Sequence, residues 1–359
     1  MPNLRFPEFE GEWEYVSLQE FAPNISSGKD KPTNGEVTLY GSTGRMGKTD
    51  KVTYNEEIIL VARVGANAGT IQIVNEPCGV TDNALVLNAH TWNHYIYYYL
   101  QQYNLNRLVF GSGQPLITGG MLKKIKIGFG CKAERDKIYK ILMLIDERIE
   151  TQNRIIEDLK SLSNTICERL YSPFEKTDWQ TYKYAELFSI SNERNKALQY
   201  KNVLSASQEY GMVERNELNI DIKFDNSSIK NYKIVRPNEY VIHLRSFQGG
   251  FAYSDKTGVC SPAYTILIPN DKLSEAFLKY YFSSQKFIDS LRIVTYGIRD
   301  GRSINVDEFL QLKIAIPSIS QQKYIVHVMQ QWEQMIRTEE YILDKFQKQK
   351  SYLLKEMFI

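Results

Sequence analysis

Two stretches of the chain carry apolar residues at helical spacing for longer than the helix of an ordinary domain core. In the first, Ile138, Leu142, Ile145, Ile149, Gln152, Ile156, Leu159, Leu162, Ile166 and Leu170 recur every three or four residues, which predicts a coiled-coil seam. In the second, Ile325, Met329, Trp332, Ile336, Glu339, Leu343, Phe346, Leu353 and Met357 repeat the stripe. A helix of about 36 residues is ~54 Å long, so each should stand clear of its globular half. Because each follows its own half, the two are expected to pack on one another antiparallel. Gln152 and Glu339 fall at equivalent points of the two seams, where a polar residue fixes register at some cost in stability.

The second stripe is a copy of the first. Phe309-Leu-Gln-Leu-Lys-Ile314 matches Leu122-Lys-Lys-Ile-Lys-Ile127 at a displacement of 187 positions, which also carries Ile145 onto Trp332, Ile149 onto Ile336 and Leu170 onto Met357 without a gap. Upstream the copy is weaker and drifts. Asn55–Val61 resembles Asn238–Leu244 at a shift of 183, and Tyr95–Leu100 resembles Phe277–Phe282 at 182. A period of that size makes each copy a domain in its own right. The predicted fold class is α+β: two tandem β-rich domains, each followed by a long helix, with boundaries at 1–133, 134–172, 173–319 and 320–359.

The fronts read as strands and turns. Val37–Asp50 is expected to be a strand running into a glycine-punctuated loop, followed by strands at Glu57–Val64 and Ala84–Leu87. The second half offers strands at Glu239–Leu244 and Tyr264–Ile268, and aromatic helices follow at His94–Tyr103 and Ser274–Ser284. In both copies a polar, glycine-containing loop, Gly111–Pro115 and Arg299–Ser303, is expected to precede the last strand.

Composition changes this picture little. At 359 residues, 43% hydrophobic and 24% charged, the chain can bury two ordinary cores. No apolar run reaches a membrane-spanning length, and the opening residues read as neither leader nor anchor, so a cytoplasmic protein with no membrane partner is expected. The four dispersed cysteines read as reduced thiols, and no metal site is expected. The net charge of +2 is more telling when divided. Residues 134–171 hold seven Lys and Arg against eight Asp and Glu, and residues 320–359 six against five. The slight excess therefore belongs to the β-rich parts, too small for binding driven chiefly by counterion release.

No catalytic constellation is found. The chain lacks a Walker-type loop and a nucleophile elbow. Gly111–Pro115 is expected to lead into a strand, where a phosphate-cradling loop would open a helix. Glu56, Glu57 and Asp82 would have to serve any nuclease reading, and they read as a strand end and a turn. What the loops do offer is polar side chains beside glycine. Arg45, Lys48 and Lys51 are placed in one loop; Arg63 and Asn67 flank Gly65; Gln114 follows Gly113; Arg245, Gln248, Arg299 and Arg302 belong to the second copy. Such side chains bond base edges and phosphates, and glycine lets a backbone approach closely.

Several strings together resemble the specificity subunits of Type I restriction-modification systems, over essentially the whole chain. They are Leu4–Trp13, Tyr40-Gly-Ser-Thr-Gly44, Arg63-Val-Gly-Ala-Asn-Ala-Gly69 with Thr81-Asp-Asn83, Gly113-Gln-Pro115 with Leu122–Ile127, Ile319-Ser-Gln-Gln-Lys323 and Leu353–Phe358. The first spacer departs from the family by opening Gly128-Phe-Gly-Cys-Lys-Ala-Glu134 in place of a proline-rich turn and a Glu-Gln pair. The resemblance implies two target-recognition domains that read an asymmetric bipartite site in double-stranded DNA, held apart by an antiparallel coiled coil. It also implies a non-catalytic scaffold for two methyltransferase subunits and for restriction/translocase subunits. S-adenosylmethionine, ATP and Mg2+ would belong to those partners, with no cofactor in this chain. The competing expectations are a coiled-coil adaptor whose β domains bind protein, and an endonuclease or methyltransferase fused to its recognition module.

Overall fold

The computed structural model describes residues 2–108, 116–172, 178–207, 210–215, 226–243, 250–296 and 303–358. It divides into two compact units, one of residues 1–154 with 340–359 and one of residues 155–339.

The first copy runs β1 (Glu14–Ser17), α1 (Leu18–Phe21), β2 (Ser26–Ser27), β3 (Val37–Gly41), β4 (Gly44–Thr49), β5 (Ile58–Ala62), β6 (Ile71–Val74), β7 (Cys78–Val80), β8 (Ala84–Leu87), α2 (Asn93–Tyr103), α3 (Gly119–Lys123), β9 (Lys126–Phe129) and α4 (Lys132–Leu170). β5 is an unbroken apolar run because both its faces are covered. Ile59 and Val61 pack with Leu85, Leu87, Tyr95 and Ile96, whereas Ile58 and Leu60 face Tyr40, Val74, Val80 and Val86. The helix α2 is fixed at its start by Asn93, which bonds Ala89 N and Glu57 O at 2.8 Å each, and ends at Asn104 in the left-handed conformation (φ 55°).

The second copy runs β10 (Gln180–Lys183), β11 (Phe188–Ser191), β12 (Leu204–Ser207), β13 (Gly211–Glu214), β14 (Lys233–Val235), β15 (Tyr240–Ile242), β16 (Phe251–Tyr253), β17 (Gly258–Cys260), β18 (Thr265–Pro269), α5 (Phe277–Phe282), α6 (Gln285–Ser290), β19 (Thr295–Tyr296), β20 (Ser303–Ile304), α7 (Val306–Gln311), β21 (Lys313–Ile316) and α8 (Ile319–Met357). Its core is an aromatic cluster around Tyr184, Phe188, Tyr240, Phe251, Phe282, Phe287 and Phe309.

The duplication holds strand by strand. The central sheet is ordered β2-β8-β5-β6 in one copy and β11-β18-β15-β16 in the other. β1 pairs antiparallel with β9 from Glu14↔Phe129, and β10 with β21 from Gln180↔Ile316. The displacement is thus 166 at the first strand and 187 at the last. β3 lies parallel to β7, and a parallel bridge Val203↔Val259 repeats that contact. Most of the added length therefore lies between β13 and β14, where residues 216–225 are outside the described ones.

Two sequence expectations are corrected here. The loops were expected to run straight into the last strands, but α3 and α7 intervene, capped by Thr118, which accepts from Met121 N, and by Asn305, which accepts from Asp307 N and Glu308 N. The helix expected over Ser274–Ser284 is the shorter α5, Phe277–Phe282, and a separate helix, α6, opened by the Ser284 cap, follows it.

α4 and α8 carry seams more regular than the apolar residues suggest. Positions 138, 142, 145, 149, 152, 156, 159, 163, 166 and 170 of α4 are buried or half-buried, alternating four and three apart, and their partners 187 positions on in α8 are likewise covered. Leu162, read as part of the seam, is 51% exposed, and Ser163 takes its place. The direction is antiparallel within each unit. In the first, Asp146 pairs with Lys350 at 2.7 Å while Ile138 and Leu142 cluster with Met357 and Phe358; in the second, Cys167 and Tyr171 cluster with Ile325 and Met329. The opening residues close on the same end of the first unit. Arg5 donates to the buried Glu134 carboxylate at 2.7 and 2.9 Å, Trp13 Nε1 to the same group at 3.3 Å, and Leu4 N to Glu356 O at 2.8 Å.

Candidate nucleic-acid interface

Three turns of the first copy converge on Arg63. It follows β5, and its backbone N–H donates to Asn83 O at 2.9 Å while its carbonyl accepts from Ile117 N at 2.9 Å. The bridge Val64↔Leu116 continues that contact. Thr81 opens the β7–β8 turn and donates its N–H to Tyr40 O at 2.9 Å, which brings the end of β3 alongside. Gln72 of β6 donates to Gly41 O at 3.4 Å from the other side.

Glycine makes these turns possible. Gly65 and Gly69 lie at φ 78° and 93° in the β5–β6 hairpin, which closes through Ala62 N to Thr70 O at 2.8 Å and Gly69 N to Ala62 O at 2.9 Å. A side chain at Gly69 would strike Asn106 Oδ1 at 2.5 Å. The hairpin tip leaves Asn67 exposed.

The Arg63 guanidinium is half-buried, and its Nε has no hydrogen-bond partner among the described residues; the same holds for the buried Thr81 hydroxyl. Each unmet group costs stability unless a ligand or water meets it. Thr81 and Gln72 were not candidates from the sequence, because only the tertiary contact of β3, β6 and β7 gives them their place.

The other basic candidates of this copy are arranged differently from expectation. Arg45 and Lys48 do not lie in a loop: Gly41-Ser-Thr-Gly44 is a tight hairpin, and both residues are on the strand β4. Glycines at 44 and 47 suggested a loop, but they accommodate φ of 103° and 158° around an irregularity in the β3–β4 pairing. Arg45 is held by Glu76, with Nη2 3.0 and 3.2 Å from its two oxygens, and donates from Nε to Tyr40 Oη at 3.2 Å. The Tyr40 hydroxyl and then Arg45 hold the Glu76 carboxyl below its usual range. Lys48 donates to Glu36 O at 3.0 Å, and Lys51 follows the strand, exposed. At about 3.3 Å per residue Lys48 stands ~10 Å down β4 from Arg45. The fold thus brings Arg63, Asn67 and, at the adjoining hairpin, Arg45 towards one end, and carries Lys48 and Lys51 away from it.

Gln114, Arg245, Gln248, Arg299 and Arg302 lie outside the described residues. In sequence Gln114 precedes Leu116, the bridge partner of Val64; Arg245 and Gln248 fall between β15 and β16, the counterparts of β5 and β6; Arg299 and Arg302 fall between β19 and β20. At the described edge of the β15–β16 hairpin, His243 donates its backbone N–H to Gly250 O at 2.8 Å, and burial lowers its imidazole pKa. Its Nε2 has no partner among the described residues.

His90 and His94 stand at His-x-x-x-His spacing, with His90 Nδ1 3.9 Å from Glu56 and His94 Nε2 3.1 Å from Glu57. Among the described residues no group of three or more His, Cys, Asp or Glu side chains converges as a metal site would require. No helix among them is long and apolar enough to cross a membrane.

Comparison with known proteins agrees with the duplicated design. The family model described as Type I restriction modification DNA specificity domain matches residues 10–161 and again 176–347. The chain is 23% identical over 404 aligned positions to the Type I restriction enzyme MjaVIII specificity subunit of Methanocaldococcus jannaschii, covering 99% of this chain and 93% of that one. Among solved structures, the S subunit of a Type I restriction-modification system from M. genitalium superposes with a TM-score of 0.63 at 16% identity, covering 100% of this chain and 99% of that one. A second, from work on complex assembly and conformational transition of the Type I system, gives 0.59 at 13% identity, with 98% of each chain covered. With both copies of the domain matched and the same fold found in each, the chain belongs to the family of Type I restriction modification DNA specificity domains.

Proposed function

We propose that this chain is the DNA-reading subunit of a Type I restriction-modification complex and performs no chemistry itself. The observation that carries the reading is the duplicated domain whose first copy gathers glycine-built turns around a half-buried guanidinium, each copy being followed by a long seamed helix. Arg63, Asn67 and Arg45 would read one half-site of double-stranded DNA, and Arg245, Gln248, Arg299 and Arg302 the other. Because the copies have diverged, the two half-sites should differ. Two methyltransferase subunits using S-adenosylmethionine, and translocating nuclease subunits using ATP and Mg2+, would supply catalysis in the cytoplasm. Partners would also add to the non-specific phosphate grip that the near-neutral charge leaves weak.

The test is to map methylated bases in host DNA with and without this chain, co-expressed with its methyltransferase subunit. An asymmetric bipartite motif that disappears with the chain is expected, and the purified chain alone should show no nuclease, methyltransferase or ATPase activity. Failure to bind any member of a random DNA pool together with that subunit would favour a protein-binding adaptor.

A further inference from the structure

Tyr98 of α2 and Tyr280 of α5 occupy equivalent places, 182 positions apart. Each donates its phenol to a carboxylate on a long helix: Tyr98 Oη to Asp146 Oδ2 at 2.8 Å, and Tyr280 Oη to Glu333 Oε2 at 2.7 Å. The two carboxylates are themselves equivalent, 187 positions apart. A lysine completes both groups. Lys350 Nζ lies 2.7 Å from Asp146 and 5.6 Å from the Tyr98 ring centre; Lys279 Nζ lies 2.8 Å from Glu333 and 4.9 Å from the Tyr280 ring centre.

The lysines come from different places. Lys350 is on α8, whereas Lys279 is on α5 beside its tyrosine. Of the six aligned residues Tyr95–Leu100 and Phe277–Phe282, only two are identical, and Tyr98 with Tyr280 is one of those pairs. Two diverged copies have therefore assembled the same Tyr–carboxylate–Lys group from different elements, which points to a shared task.

Packing explains what that task requires. α2 rides on the central sheet through Tyr95, Ile96 and Leu100, so Tyr98 couples the β-rich domain of the first unit to α4 and, through Lys350, to α8. In the second unit Tyr280 couples α5 to α8. Apolar contact is non-directional and leaves a domain free to rock about a helix. A short charge-assisted hydrogen bond has a preferred direction. Lys350 and Asp146 are only 18% and 33% exposed and Lys279 and Glu333 30% and 28%, so water competes weakly for these bonds.

We propose that the two groups are positioning residues that fix the angle of each recognition domain on its spacer helix, and thereby hold the permitted gap between half-sites to one length. The first clause stands on the geometry of each unit alone; the second rests on the function proposed above. The full chain is tested in two ways. Spin labels at Asp50→Cys in the domain and Lys140→Cys in α4, in a Cys131→Ser background, report the distance distribution within the first unit. It should broaden in Tyr98→Phe and Asp146→Asn and stay narrow in Asp146→Glu, the carboxylate that the other copy uses. In complex with the methyltransferase subunits, the same variants are offered a plasmid library in which the mapped half-sites are separated by different gaps.

Methylation at gaps one base pair longer or shorter, relative to the native gap, should rise about tenfold, as loss of roughly one charged hydrogen bond allows, with the half-site bases kept and the thermal midpoint lowered by only a few degrees. Unchanged distance distributions in both variants would overturn the anchoring, whatever the DNA result. Broadened distributions with an unchanged gap profile would overturn the link to spacing. Loss of the thermal midpoint in Asp146→Glu as well as Asp146→Asn would reduce the group to ordinary packing. A wild-type chain that directs no bipartite methylation would overturn the proposed function and the second clause with it, and the spin-label distances would still decide the first.

Discussion

At the scale of single residues, the distinction that matters is between a cation already paired and one held without a partner. Arg45 has a glutamate, but the pair is solvent-exposed, and such a pair contributes little, so nucleic acid could displace it at small cost. Arg63 is half-buried with Nε unmet among the described residues, fixed by backbone bonds on both sides. Arg63→Ala should therefore cost about 1–3 kcal/mol in specific binding and relax one base position of one half-site. Lys51→Ala should instead weaken specific and random DNA alike. Competition binding with each base permuted separates the two, and equal losses for Arg63→Ala on every sequence would make it a phosphate contact. The glycine-flanked string made Arg63 legible as a candidate. Thr81, Gln72 and His243 were not legible, since their surroundings come from strands distant in sequence, and the Glu76 partner of Arg45 lies 31 residues away from it.

At the scale of elements, the hydrophobic pattern is legible wherever an apolar run or stripe is long, and fails where glycine or a polar seam position interrupts it. β5 and α2 lie close to their expected places because their apolar runs are long. Gly44, Gly47 and three cations in a short span imitate turn chemistry, whereas the strand character of β4 comes from pairing with β3. Residue type puts Leu162 in the seam, whereas spacing alone selects Ser163, which is the covered position. That serine leaves the helix underfilled. It borders a groove of about 270 Å³ lined also by Cys167, Tyr280 and Met329 in the second unit. Ser163→Leu should place apolar surface there and stabilise the chain by about 1 kcal/mol, or roughly 2–4 °C in thermal midpoint for a unit of this size. A midpoint that stays put or falls would mean that the groove cannot accept the side chain.

At the scale of the whole molecule, the duplication and the drift of its front are legible, because the back of each copy keeps a single displacement, while the place of the extra residues, mostly between β13 and β14, follows only from strand pairing. The same regularity makes the spacer testable as a ruler. The alternation of three and four along both seams means that only a whole heptad can be added without turning the apolar face away from its partner. The contact Asp146 with Lys350 sets the antiparallel register, and in that register Arg154 and Tyr341, 187 positions apart, are matched insertion points. Duplicating one heptad after each lengthens both helices by about 10.5 Å, about three base pairs at ~3.4 Å each. Both Tyr–carboxylate–Lys groups lie outside the duplicated heptads, so each domain should keep its seat while the distance grows. The half-site sequences should then be unchanged and the preferred gap longer by about three base pairs, read by mapping methylated bases after co-expression with the methyltransferase subunits. A variant that folds and assembles yet still methylates only the original spacing would show that the helices do not set the distance. One that accepts every spacing with both anchors intact would show that the anchors do not by themselves hold the gap.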